Sequence, residues 1–137
     1  MPRILSIDYG GKRSGLAVTD PLKIIASGLC TVETPRLMTF LRDYFSKEEV
    51  ERVIIGMPVN WDESATHATP LVQKFITAFK KHFPSIPIIE VDERFTSKMA
   101  QQAMIEMGMK KKQRQVKSNV DEIAATILLQ EYLQHNF

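Results

Sequence analysis

The sequence has a single cysteine, Cys30, so neither an intramolecular disulfide nor a cluster of thiolate metal ligands can be built within the chain. That usage suits a reducing compartment and predicts a cytoplasmic protein. No apolar run approaches the roughly 20 residues that a membrane helix needs, so no membrane span is expected. The first residues, MPRILSID, carry one basic side chain and reach an acid by position 8, which is not the pattern of a secretory signal. Internal repeats, low-complexity tracts and linker-like composition breaks are also lacking. Histidines are few: His67, His82 and His135 are scattered, show no His-x-His or His-Glu-x-x-His spacing, and read as surface residues. A zinc site therefore has no obvious ligands. Charge of one sign is scarce too, the formal net charge being only +2.

What remains is an ordinary globular composition, 44% hydrophobic and 25% charged over 137 residues, which argues against a disordered chain and predicts one domain, 1–137, with one sizeable core. The basic residues are unevenly placed. Lys98, Lys110, Lys111, Lys112, Arg114 and Lys117 fall within one segment that holds a single acid, Glu106. Such a cluster on a near-neutral protein is either a solvated surface or a contact for phosphate.

Arg3 to Asp8 reads as a short apolar strand, RILSID. The turn YGGKR and a second strand, Ser14 to Thr19, follow, which is a hairpin pattern. Ile24 to Val32 supplies a third strand. Thr34-Pro35 opens a helix to about Phe45, with Leu37, Met38, Leu41 and Phe45 at helical spacing. Arg52 to Gly56, RVIIG, is a β-branched run of the kind found in buried central strands. Met57 to Pro70 is polar and reads as an exposed loop. Leu71, Val72, Phe75, Ile76 and Phe79 mark a helix to Phe83, and Ile86 to Val91 another strand. A helix capped by Thr96 or Ser97 runs to Met107, a basic loop spans Met109 to Lys117, and Ser118 caps a last helix to about Leu133. Three consecutive strands followed by alternating strands and helices predict an α/β fold, a mixed sheet flanked by helices.

Three carboxylate positions stand out. Asp8 ends an apolar strand just before Gly10-Gly11, where it either caps the turn or lies at a strand-end site of the kind open α/β sheets build. Asp92 and Glu93 follow the strand ending at Val91, and alternation lets only one of them share a face with Asp8. Asp121 is in line with Ala124, Ala125, Leu128, Leu129 and Tyr132, the apolar stripe of the last helix. Ser118-x-x-Asp121 also fits a capping box, which explains an acid there but not its place on the stripe. Hydrolysis of a phosphodiester must activate water and stabilise charge on the leaving oxygen, and carboxylate-held divalent ions do both.

These residues resemble the YqgF/RuvX family of RNase H-like nucleases over essentially the whole chain. The family pattern D-x-G-x-x-R-x-G-x-A-x-x-D is met by Asp8, Gly10, Arg13, Gly15, Ala17 and Asp20. A G-x-P follows as Gly56-Met57-Pro58, and D-E-R-x-T-S as Asp92-Glu93-Arg94-Phe95-Thr96-Ser97. The basic run then precedes D-x-x-A-A, which is Asp121, Ala124 and Ala125. The resemblance implies an RNase H-like fold with a mixed five-stranded sheet. It implies that Asp8, Glu93 and Asp121 hold catalytic Mg²⁺ or Mn²⁺, selecting Glu93 over Asp92. It also makes Arg13 and Arg94 site residues, with Lys110, Lys111, Lys112 and Arg114 as backbone contacts.

The implied activity is nuclease action on structured RNA, in 5′-end maturation of pre-16S rRNA, or on branched DNA as a Holliday junction resolvase. The partners are nucleic acid and ribosomal particles, and the expected assembly is a monomer or weak homodimer. One departure is visible: Asp62 is followed by Glu63 where the family usually has a glycine shortly after the acid. The D-x-G hairpin also resembles the phosphate loop of the actin and sugar-kinase superfamily, but those proteins bind ATP between two such domains. A non-catalytic binding module is the other competing class.

Overall fold

The computed structural model describes residues 2–57, 69–92 and 117–135. Five strands form one sheet: β1 (Arg3–Asp8), β2 (Arg13–Thr19), β3 (Ala26–Glu33), β4 (Val50–Met57) and β5 (Ile88–Asp92). Their spatial order is β3-β2-β1-β4-β5. β1 pairs antiparallel with β2 and parallel with β4; β2 pairs antiparallel with β3, and β4 parallel with β5. The expected mixed five-stranded sheet is therefore present. Among the described residues three helices accompany it: α1 (Leu37–Lys47), α2 (Thr69–His82) and α3 (Lys117–His135), with a 3-10 turn at Thr34–Arg36. Among the described residues, no helix is long and apolar enough to cross a membrane.

Alternation along the strands divides the core into two layers. Leu5 and Ile7 of β1, Val53 and Ile55 of β4, and Leu16 and Val18 of β2 pack with Leu37 and Leu41 of α1 and with Val72, Phe75, Ile76 and Phe79 of α2. Ile4, Ala17, Ala26 and Ile54 pack on the other face with Ala125, Leu128, Leu129 and Tyr132 of α3. Because β1 and β4 are covered on both faces, they are apolar almost throughout: Val53, Ile54 and Ile55 are all fully buried. The stripe expected on the last helix is the buried one, from Ala124 to Tyr132.

Several expectations change in detail: β4 extends through Met57, expected in the loop, β5 begins at Ile88, not Ile86, and the last helix begins at Lys117, so Ser118 lies inside it. The third strand begins at Ala26, not Ile24, and Ile24 and Ile25 are 69% and 61% exposed. The cause is Asp20, whose carboxylate accepts the amides of Ile24 and Ile25, each at 2.8 Å, and of Leu22 at 3.3 Å. Those N–H groups close a local loop and are not offered to a neighbouring strand. The helix expected from Thr34 begins as a 3-10 turn, with Pro35 in its first turn, and becomes α-helical at Leu37. The second helix begins at Thr69, two residues before Leu71, and so has a proline in its first turn, where a missing N–H costs nothing; the rest of the expected polar loop, 58–68, lies outside the described residues. Leu71, assigned to the apolar stripe, is 47% exposed. The helix expected between Thr96 and Met107 and the basic loop after it lie outside the described residues.

Candidate active site

β1, β4 and β5 are parallel, so their C-terminal ends share one edge of the sheet. Asp8 ends β1, Met57 ends β4 and Asp92 ends β5. Arg13 begins the antiparallel neighbour β2 and so lies at the same edge, with Asp8 paired to Gly15.

Face follows from register. Ile4 and Ser6 belong to the α3 side, and alternation puts Asp8 with them. The buried Ser6 hydroxyl donates to the carbonyl oxygen of Ala125 at 2.9 Å, fixing where α3 crosses β1. Further back, Arg52, paired with Ile4, donates to the Tyr132 hydroxyl at 3.0 Å. Helix and strand therefore run in opposite directions. From Ser6 to Asp8 is about 6–7 Å along a strand. From Ala125 back to Asp121 is one turn, about 6 Å. The two acids thus sit at matching heights on facing elements, one at the strand end and one near the helix start.

On β5, Ile54 pairs with Ile89 and Gly56 with Val91, while Met57 pairs with Asp92. Ile89 and Val91 pack in the α3 layer and Ile88 in the other. Position 92 therefore falls in the register set of Ile88 and Glu90, not in the set that shares a face with Asp8. Glu93, Arg94, Lys110, Lys111, Lys112 and Arg114 lie outside the described residues.

Beyond Asp8 the chain turns through Tyr9, Gly10, Gly11 and Lys12. Tyr9 points to the opposite side, its ring 5.1 Å from that of Phe75 on α2, and burial raises its phenol pKa. The two glycines differ. A Cβ on Gly10 would stand 2.2 Å from the Arg13 carbonyl oxygen, whereas one on Gly11 would meet nothing within 4 Å. The first is required by the backbone's own close approach.

A ring of hydroxyls closes the turn. The Gly10 N–H donates to the Ser14 hydroxyl at 3.3 Å, the Ser14 and Thr34 oxygens are 3.0 Å apart, and the Thr34 hydroxyl donates to the Gly10 carbonyl. Thr34 has one hydroxyl proton, and Gly10 takes it, so Ser14 must donate to Thr34. Chained donors of this kind polarise one another and strengthen each bond. The Thr34 amide also donates to the Lys12 carbonyl at 2.9 Å.

Ser6, Ser14 and Thr34 escaped the reading of motifs. Their signal was present: Ser6 and Ser14 are isolated hydroxyls in apolar strands, and a buried hydroxyl needs a partner. Thr34 looked like a helix opener, yet its side chain bonds the glycine turn.

Other features lie away from this edge. Asp20, the last acid of the first motif, stands at the opposite end of β2, and its three backbone hydrogen bonds hold its pKa below the usual carboxylate range. Cys30 packs in the α1 layer of the core; burial first, and the Glu122 carboxylate second, push its thiol pKa up. A groove of about 720 Å³ between β3 and α1 is lined by Glu33, Arg36, Asp43 and uncharged residues, a charge balance unsuited to phosphate. His82 is exposed, as expected of a surface residue.

The carboxylate oxygen of Asp8 at this edge is a hard donor, the kind that suits a divalent metal ion. Among the described residues alone, no three His, Cys, Asp or Glu side chains form a metal cluster.

The sequence matches the RuvX family, described as "Holliday junction resolvase", over residues 2–135. Similar proteins include one from Flavobacterium psychrophilum, 58% identical over 133 residues with 97% of each chain covered, and one from Porphyromonas gingivalis, 52% identical over 135 residues with 98% of each covered. Both bear the name "Putative pre-16S rRNA nuclease". Among solved structures, the fowlpox virus resolvase in complex with Holliday junction DNA aligns with a TM-score of 0.60 at 16% identity, over 98% of this chain and 99% of that one. RuvC of T. thermophilus with a Holliday junction substrate aligns with a TM-score of 0.54 at 17% identity, over 98% and 96%. At such identities the two structures speak for the fold, which is the RNase H-like one. With its motifs, its sheet and its close relatives in agreement, the chain belongs to the RuvX (YqgF) family and is a nuclease.

Proposed function

We propose that this nuclease hydrolyses phosphodiesters with a divalent metal, Mg²⁺ or Mn²⁺, held by Asp8, Glu93 and Asp121, and that it matures the 5′ end of pre-16S rRNA. The observation that carries this reading is the register of β1 against α3. It sets the end of β1, where Asp8 stands, level with the first turns of α3, where Asp121 stands, which supports their use as a pair of ligands. The register of β5 supports Glu93 over Asp92 as the third ligand, because position 92 falls outside the set that shares a face with Asp8. A bound divalent ion would supply Lewis acidity at the phosphoryl oxygen and lower the pKa of a water. The chain's own residues do the rest. Asp8 and Asp121 offer carboxylate oxygens from two rigid elements, Arg13 lies at the same edge to meet a phosphate, and Arg94 follows the third acid. Lys110, Lys111, Lys112 and Arg114 hold the nucleic-acid backbone, a contact that orients the substrate without reading its sequence.

The pre-16S rRNA substrate rests on relatives that are more than half identical to this chain over nearly its whole length. The family description favours a second substrate, branched DNA. We further propose that residues 1–137 act as one cytoplasmic domain, as a monomer or weak homodimer, with ribosomal particles among its partners.

The test uses a labelled pre-16S rRNA 5′ end and a four-way DNA junction side by side with Mn²⁺, with wild-type and Asp8→Asn protein. Cleavage of RNA by the wild type, reduced at least 100-fold in Asp8→Asn with binding retained, is the expected result. Cleavage of the junction alone transfers the assignment to branched DNA. Cleavage undiminished in Asp8→Asn removes Asp8 from the catalytic set. Wild-type protein that binds nucleic acid but cuts neither substrate favours the binding module.

A further inference from the structure

We propose that Thr34 is a positioning residue for the metal site: its hydroxyl locks the turn after Asp8 and thereby holds the Asp8 carboxylate in place for the divalent ion. This inference rests on the assignment of Asp8 as a metal ligand.

The argument is geometric. Asp8 is the last residue of β1, and its pairing with Gly15 is the last of the ladder with β2. A ligand at the end of a strand keeps its direction only if the chain beyond it is also held. Towards the strand, Ser6 ties β1 to α3. On the far side, the only residues between Asp8 and β2 are Tyr9, Gly10, Gly11 and Lys12. Thr34 grips two of these four: its hydroxyl donates to the Gly10 carbonyl and its amide to the Lys12 carbonyl. Ser14 returns the ring to the Gly10 amide, so both polar groups of the Gly10 backbone are held by hydroxyls. Gly10 has no side chain with which to hold itself. Its backbone also approaches Arg13 so closely that no other residue fits.

Thr34 arrives from outside the hairpin. It follows β3, whose Glu33 pairs with Arg13, so the same contact sets Arg13 relative to the turn. Groups that orient a metal ligand from behind commonly change metal affinity or activity by about 10- to 100-fold when removed.

Three variants test this. Thr34→Val keeps the shape and the amide but cannot donate, Thr34→Ser keeps the hydroxyl, and Ser14→Ala opens the ring at its middle member. Mn²⁺ affinity is measured by calorimetry without nucleic acid, the Mn²⁺ concentration for half-maximal cleavage by titration, and folding by Tm. Thr34→Val is expected to weaken Mn²⁺ binding about tenfold or more and to raise the half-saturating Mn²⁺ concentration by a similar factor. KM for nucleic acid should stay within about twofold, because only the metal step is disturbed. Thr34→Ser should match the wild type. Ser14→Ala should shift Mn²⁺ affinity in the same direction as Thr34→Val, and it carries the test if Thr34→Val does not fold.

Wild-type Mn²⁺ affinity in both ring-breaking variants overturns the proposal. So does a Thr34→Ser protein as weak as Thr34→Val, since shape and not the hydroxyl would then matter. The two readings fail differently. Mn²⁺ binding that is lost in Asp8→Asn but kept in Thr34→Val defeats the positioning role alone. Wild-type protein that binds no Mn²⁺ defeats the metal assignment and the positioning role with it.

Discussion

Asp20 shows how much one side chain can decide. Its two oxygens accept three amides of the β2–β3 loop. They stabilise a loop in which Lys23 adopts a φ of 60°, a left-handed conformation unfavourable for a residue with a Cβ. An ion pair from Lys23 to Glu51 adds a second tie. Because these hydrogen bonds favour the ionised form, the Asp20 pKa is depressed in the folded state. A depressed carboxylate contributes stability above its unfolded pKa and loses it as pH falls through the folded value. Asp20→Ala should therefore lower Tm at pH 7, and the gap to the wild type should close as the pH drops below the normal carboxylate range. Thermal melts from pH 7 to pH 2 check this; a gap independent of pH would mean that the charge is not what holds the loop.

At the scale of elements, α3 matters most. Among the described residues it alone covers the sheet face that carries Asp8, through Ala125, Leu128, Leu129 and Tyr132. Leu128→Ala should cost about 2–5 kcal/mol, the usual range for a fully buried leucine. Leu71→Ala, on the half-exposed side of α2, should stay within about 0.5 kcal/mol. Urea denaturation of both variants measures the difference, and equal costs would contradict the packing described for α3. The same helix carries Asp121, so a loosened α3 would also disturb the proposed metal site. The apolar stripe of α3 was legible from spacing alone, because a helix against a sheet must bury one face. The exposure of Leu71 was not, because spacing gives the stripe but not which of its edge positions the neighbouring elements cover.

Taken whole, the molecule joins a near-neutral body to one strongly basic segment. If Lys110, Lys111 and Lys112 hold the substrate backbone, replacing all three by Gln should weaken nucleic-acid binding and reduce the slope of log K against log salt by up to about 2–3 units. Binding measured between 50 and 200 mM salt decides the matter, and an unchanged slope would show a solvated surface. The sheet order explains how elements far apart in sequence reach one edge. Asp8 and Asp121 are more than a hundred residues apart, yet β1 lies central in the sheet and α3 crosses it.

The sequence by itself determined the class of fold, the buried, central character of β4, the apolar face of α3 and the family. Each follows from local periodicity or from residue identities at set spacings, which need no knowledge of long-range contact. Only the tertiary structure decided which residues share a face and an edge. It alone separated position 92 from the face of Asp8, moved Ile24 and Ile25 out of β3, and joined Thr34 to the glycine turn. The physical reason is the same in each case. A hydrogen bond or a strand pairing depends on which partner the folded chain brings within about 3 Å, and spacing along the chain does not contain that distance.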